Sequence, residues 1–143
     1  MRTPRGTLKR CSGSRFRSGD PLIGWGSIAY GAALSGLAAA GLLALALRER
    51  RAAVLFVGAA SAVLGPVAWN AILHGVDARG FFVDAPVTIV PVSWQDTGSG
   101  VFTLAAAALL LGIGPLAHLP GRRLAITAAL CGLAAFLVDV YLY

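Results

Sequence analysis

The sequence predicts an all-α integral membrane protein, a four-transmembrane-helix bundle, and three observations predict it. The 143 residues are 57% hydrophobic and only 13% charged, with a mean hydropathy of +0.77. A soluble domain of this size could not cover so much apolar surface with polar groups. The apolar residues fall into four blocks, about Leu22–Leu47, Ala52–Leu73, Val101–Leu119 and Leu124–Tyr143, each near the roughly 20 helical residues that cross a hydrocarbon core of about 30 Å. Arginine flanks the blocks, as Arg48, Arg50, Arg51, Arg122 and Arg123, the placement expected at the ends of membrane spans.

Residues 1–20 come first and are polar, basic and rich in Gly and Ser. Arg2, Arg5, Lys9, Arg10, Arg15 and Arg17 stand against the single acid Asp20, a composition that predicts a disordered tail. The apolar block behind it is too long for the roughly 7–15-residue core of a cleaved signal peptide, so it reads as an uncleaved first span. That span carries small residues in two four-residue rows, Gly31, Ser35 and Ala39, then Ala32, Gly36 and Ala40. Such rows let helix backbones approach closely. Trp25 and Tyr30 suit the headgroup interface near its start. After the Arg48–Arg51 turn, the second span contains Pro66, which leaves the carbonyl of Ala62 without its helical donor. It ends in Trp69, Asn70 and His74.

Residues 75–100 form the one long connection. Phe81, Phe82, the run Val87–Val90 and Trp94 are too apolar for a free linker, so the loop is expected to lie against the membrane or over the bundle end. Asp96, Thr97 or Ser99 is the expected cap of the helix that follows. The stretch Ser93–Gly100 reads either as a recognition loop or as an aromatic anchor and a cap. Gly112, Gly114 and Pro115 predict irregular last turns for the third span. Arg50-Arg51-Ala-Ala-Val and Arg122-Arg123-Leu-Ala-Ile each open a span, which suggests two tandem helical hairpins. Any two hairpins of this composition would also align so. The domain layout is thus a tail over 1–20 and one membrane domain over 21–143.

A pI of about 10.4 does not point to nucleic acid. Six of the 12 basic residues lie in the tail and five flank the spans. The bilayer is the expected partner, with a second membrane protein or a further copy of this chain beside it. The Ala, Gly, Leu and Arg bias suggests a GC-rich bacterial genome and hence an inner, plasma-membrane location. Cys11 and Cys131 lie in the tail and the fourth span, so no disulfide is expected. No C-x-x-C, zinc or c-type haem spacing occurs, and no cofactor is expected. Four spans put the tail, the 75–100 loop and the C-terminus on one side. Without the tail, the two short turns hold five Arg against Arg79 alone, which puts the loop and C-terminus outside; counting the tail reverses the answer.

The non-arginine polar residues gather at the loop end. Asn70, His74 and Asp77 are spaced i, i+4, i+7 and share a face if the helix continues that far. Asp139 and Tyr143 close the fourth span. The same end holds Asp84, Trp94, Gln95 and Asp96, and these with Asn70, His74, Asp77 and Asp139 are the candidate functional cluster. Asp139 is its sharpest member, because Ala128, Gly132, Ala135 and Asp139 form one stripe, which turns the acid inward. Intramembrane acids usually face a bundle interior or a cavity. The plainer alternative is that Asp139, one turn from the C-terminus, reaches interfacial water. Asn70 is expected to hydrogen-bond across helices at about 1 kcal/mol. His74 is either an interfacial helix end or a ligand or titrating partner with a nearby Asp. His118 sits about 25–30 Å away at the other end and cannot share a site with it.

No metal set is forced, no Ser/His/Asp or Cys/His nucleophile arrangement is recognisable, and Gly98 and Gly100 do not form a phosphate loop. These residues favour a non-catalytic accessory subunit or scaffold of a membrane complex. A small transporter or channel with Asp139 as a proton or cation site is the alternative, and a redox or metal-binding subunit using His74 with a nearby Asp is the third reading.

Overall fold

The computed structural model describes residues 23–78 and 92–142. They form four helices: α1 Trp25–Ala46, α2 Ala52–Gly75, α3 Trp94–Ile113 and α4 Gly121–Leu142. Each is long and apolar enough to span a membrane, and the chain is a multi-pass membrane protein built as a four-helix bundle. α1 packs on α2 and α4, α3 packs on the same two, and α2 also touches α4 across the middle.

Small residues line many of the helix contacts. Ala39, Ala62, Ala107, Ala128 and Ala135 are buried, whereas Leu37, Leu45, Phe56, Leu64, Leu109 and Leu133 are exposed. Lipid is as apolar as leucine, so helices associate by close van der Waals approach and place small residues at their contacts. Both small-residue rows of α1 face inward, with Gly31, Ala32, Ser35, Gly36 and Ala39 buried. The closest approaches fall at glycines. A Cβ on Gly65 of α2 would meet the backbone of Thr103 in α3, and a Cβ on Gly132 of α4 would meet the carbonyl of Gly100 at 3.0 Å.

The helix ends are set by local chemistry. α2 runs through Pro66 as one helix. Its end is a Schellman turn: Asp77 takes φ 50°, and the Ala78 N–H donates to the Leu73 carbonyl at 3.0 Å. Asp77 therefore leaves the helix, and the expected common face of Asn70, His74 and Asp77 is broken at its third member. The third helix starts earlier than the apolar run at Val101 and ends before Leu119. A capping box explains the start: Ser93 Oγ accepts from the Asp96 N–H at 3.2 Å, and Asp96 Oδ2 accepts from the Ser93 N–H at 2.7 Å. Ser93 is the cap, in place of Asp96, Thr97 or Ser99, and Trp94–Gly100 are helix rather than recognition loop. Past Ile113 the chain is irregular around Gly114 and Pro115, as their types lead one to expect.

The α1–α2 and α3–α4 turns meet at one end. Arg48 turns the chain at φ 50°, and the Glu49 N–H reaches back to the Leu43 carbonyl at 3.1 Å. The Glu49 carboxylate then accepts from the N–H groups of Arg50 and Arg51, from Arg51 Nε and Nη2, and from Arg123 Nη2 across the gap at 2.9 Å. This clamp ties the two hairpins together.

Candidate functional site

The interior has two zones along its length. Nearest the clamp it is apolar and filled by Ala39, Leu43, Val54, Ala62, Ala107, Leu111, Leu116, Ala128 and Cys131. Towards the other end it holds buried Asn70, Gln95, Asp96, Ser99 and Asp139, with Ser35 and Thr103 also buried on α1 and α3. α3 supplies most of them because it starts at Trp94: Gln95, Ser99 and Thr103 then stand four residues apart on one inward row.

Asp139 is the centre of this zone. The stripe of Ala128, Gly132, Ala135 and Asp139 is buried in α4, and Asp139 is only 2% exposed, so its carboxylate lies in the bundle and not in interfacial water. Gln95 Nε2 donates to Asp139 Oδ2 at 3.4 Å. Ser99 and Asp96 stand beside the same carboxylate. Asp96 is held by its own cap: both the Ser93 N–H and the Ser93 hydroxyl donate to Oδ2, and the N-terminus of α3 favours its charge.

Asn70 is buried but does not bridge helices. Its Nδ2 donates to the Pro66 carbonyl of its own helix at 2.9 Å, and its Oδ1 has no partner among the described residues. His74 is half-buried. Its Nδ1 lies 2.8 Å from the Asn70 carbonyl, and its ring packs on Trp25 at a centroid distance of 4.8 Å. No ion pair joins His74 to Asp139 among the described residues. Asp77 is exposed beyond the helix end, and Trp94 is 70% exposed at the start of α3. Asp84 and Tyr143 lie outside the described residues. The structure therefore brings together Gln95, Asp96 and Asp139, sets Asn70 on the adjoining helix, and separates Asp77 and Trp94 from them.

Two features escape a reading of apolar blocks alone. Glu49, the one glutamate of the chain, sits among five arginines, and its uniqueness there was the available signal. Its hydrogen bonds from Arg51 foremost, opposed by burial and reinforced by Arg123, hold its carboxyl down at about 2. Ser99 joins the site because of the helix start, for which Ser93-x-x-Asp96 was the signal. Among the described residues no three His, Cys, Asp or Glu side chains converge as a metal-ligand group. Compared with known proteins, the chain matches no family model, no curated protein and no solved structure.

Proposed function

We propose that this small multi-pass membrane protein is a non-catalytic accessory subunit or scaffold that holds a transmembrane helix of a partner protein. One observation carries the reading. An apolar groove of about 330 Å³ runs between α1 and α4, walled by Leu34, Leu42, Leu137 and Tyr141 over the small residues Ala38 and Ala134. A groove with a small-residue floor is the surface on which a neighbouring helix gains close van der Waals contact in lipid. The filled apolar zone beside the clamp supports the same reading, because it places packed side chains where a path along the bundle axis would have to run.

Filling the groove tests this. Ala38→Leu adds bulk at a partly buried position and should release a stoichiometric partner from the particle purified in mild detergent, while the bundle keeps its thermal midpoint. An unchanged partner-bound mass in the variant contradicts the reading. A carrier that uses Asp139 is the second reading, favoured by the burial of that acid; it requires that the purified chain alone move a solute in liposomes and that Asp139→Asn stop it.

A further inference from the structure

We propose that the arginine end of the bundle binds an anionic phospholipid whose headgroup phosphate bridges the α1–α2 and α3–α4 turns. The inference does not depend on the subunit reading.

Charge is the first observation. The two turns hold Arg48, Arg50, Arg51, Arg122 and Arg123 against Glu49 alone. The other acids of the described residues, Asp77, Asp96 and Asp139, lie at the opposite end, about 30 Å away along helices of this length. Glu49 is already engaged. Its carboxylate accepts from the Arg51 and Arg123 side chains and from the N–H groups of Arg50 and Arg51. Arg48, Arg50 and Arg122 are exposed, and their guanidinium groups form no ion pair with an acid of the described residues.

The clamp gathers these charges. The bond from Arg123 to Glu49 at 2.9 Å fastens one turn to the other. Arg48 and Arg50 flank Glu49 in the chain, and Arg122 precedes Arg123, so the free arginines of both turns border one patch. Like charges held together repel, and an anion among them relieves the repulsion. Phosphate suits this place, because its oxygens accept from guanidinium forks on more than one side.

A second, independent observation makes that phosphate part of a lipid. Every Trp and Tyr of the described residues, namely Trp25, Tyr30, Trp69, Trp94 and Tyr141, lies in the half of its helix away from the arginine turns. Such rings ordinarily anchor spans at both interfaces. Here one end has them, and the other has arginine in their place, which anchors by holding headgroup phosphate. Just inside the turns, Leu45, Phe56 and Ile113 are 81%, 75% and 73% exposed. They offer acyl chains an apolar wall beneath the guanidinium groups, a surface that a free phosphate ion would not use.

The test uses the full chain in phosphatidylcholine nanodiscs with a rising share of phosphatidylglycerol. The thermal midpoint is read, together with the lipid retained in the native mass. The expected result is a saturable rise in midpoint, with phosphatidylglycerol retained at fixed stoichiometry. Arg50→Gln on one turn and Arg122→Gln on the other should each raise the half-saturating share about fivefold. That is the about 1 kcal/mol of one arginine at an anionic surface, converted at about 1.4 kcal/mol per tenfold. Each variant is compared with itself in pure phosphatidylcholine, so a change in its basal stability does not enter. Three results would overturn the proposal: a wild-type midpoint indifferent to phosphatidylglycerol, a rise undiminished in either variant, or an equal rise produced by inorganic phosphate in pure phosphatidylcholine.

Discussion

Gly65→Ala is the most exacting test of how α2 and α3 meet. A Cβ at Gly65 would stand 2.5 Å from the Thr103 nitrogen and 2.6 Å from its Cα, and would also collide with its Oγ1. Two of those atoms are backbone, so a side-chain rotation cannot relieve the clash. Ordinary contact begins at 3.4 Å, and the two helices would have to part by about 0.9 Å at this level. Inserting bulk into a packed interior costs about 1–3 kcal/mol. A gap of about 0.5–1 Å also forfeits a quarter to a half of the dispersion well for the atoms along it. The seam includes Trp69 against Gly98 and against Phe102, the latter at a centroid distance of 5.1 Å, so the loss should lie at the upper end, about 3 kcal/mol. Gly26→Ala and Gly41→Ala are the controls. Neither new Cβ meets anything within 4 Å, and replacing a helical glycine by alanine is worth about 0.5–1 kcal/mol in favour of the helix. Reversible unfolding by sodium dodecyl sulfate in mixed micelles, followed by tryptophan fluorescence, measures all three. Adding Thr103→Ala to Gly65→Ala should recover only part of the loss, because the nitrogen and Cα remain. A Gly65→Ala variant within 0.5 kcal/mol of Gly41→Ala would refute this description of the α2–α3 contact.

Two further outcomes are expected, besides those attached to the groove and the phospholipid site. Ser93→Ala removes the cap hydroxyl that bonds both the Asp96 N–H and Oδ2 and should destabilise the protein by about 1 kcal/mol, with hydrogen exchange rising at the Asp96 and Thr97 amides; protection unchanged from wild type would contradict the capping box. Glu49 titrates at about 2 in the fold against an ordinary 4.5, so its stabilising contribution is full above about 4.5 and is lost as pH falls towards 2. With the partner arginines 44% and 47% exposed, screening reduces that contribution to about 1–2 kcal/mol. The stability difference between wild type and Glu49→Gln should be constant from pH 7 to about 5 and shrink below it; a difference that grows on acidification would reverse the sign and refute the clamp.

The bundle was legible because the lipid constraint is strong: a helix that crosses about 30 Å of hydrocarbon must show about 20 apolar residues in a row. The inward turn of Asp139 was only half legible: the Ala128, Gly132, Ala135 and Asp139 stripe pointed to a packing face, while its place one turn from the C-terminus suited interfacial water. The start of α3 was not legible from hydropathy. Its first two turns, with Gln95, Asp96, Thr97 and Ser99, are polar, so an apolar window begins at Val101 while the helix begins at Trp94. The hydrogen bonds of Ser93 and Asp96 outweigh that polarity. Seven residues of displacement turned Ser99 from a loop residue into a buried one and placed Gln95 on Asp139. The Glu49 clamp was hidden for a different reason: membrane-flanking arginine has a sufficient explanation in topology, and only the three-dimensional meeting of Arg123 with Glu49 reveals its structural use. Asn70 illustrates a third limit. Its type and depth suggested a bridge between helices, yet its amide turns back to the Pro66 carbonyl four residues earlier in its own helix.

The measurement that bears most directly on the proposed role is the native mass of the tagged chain extracted from its own membrane in mild detergent, taken for wild type and Ala38→Leu. The wild type should carry the 14.6 kDa chain at fixed stoichiometry with a second membrane protein, and the variant the same chain without that protein. A wild-type particle composed only of this chain, able by itself to carry a solute across a liposome membrane, would contradict the proposed role.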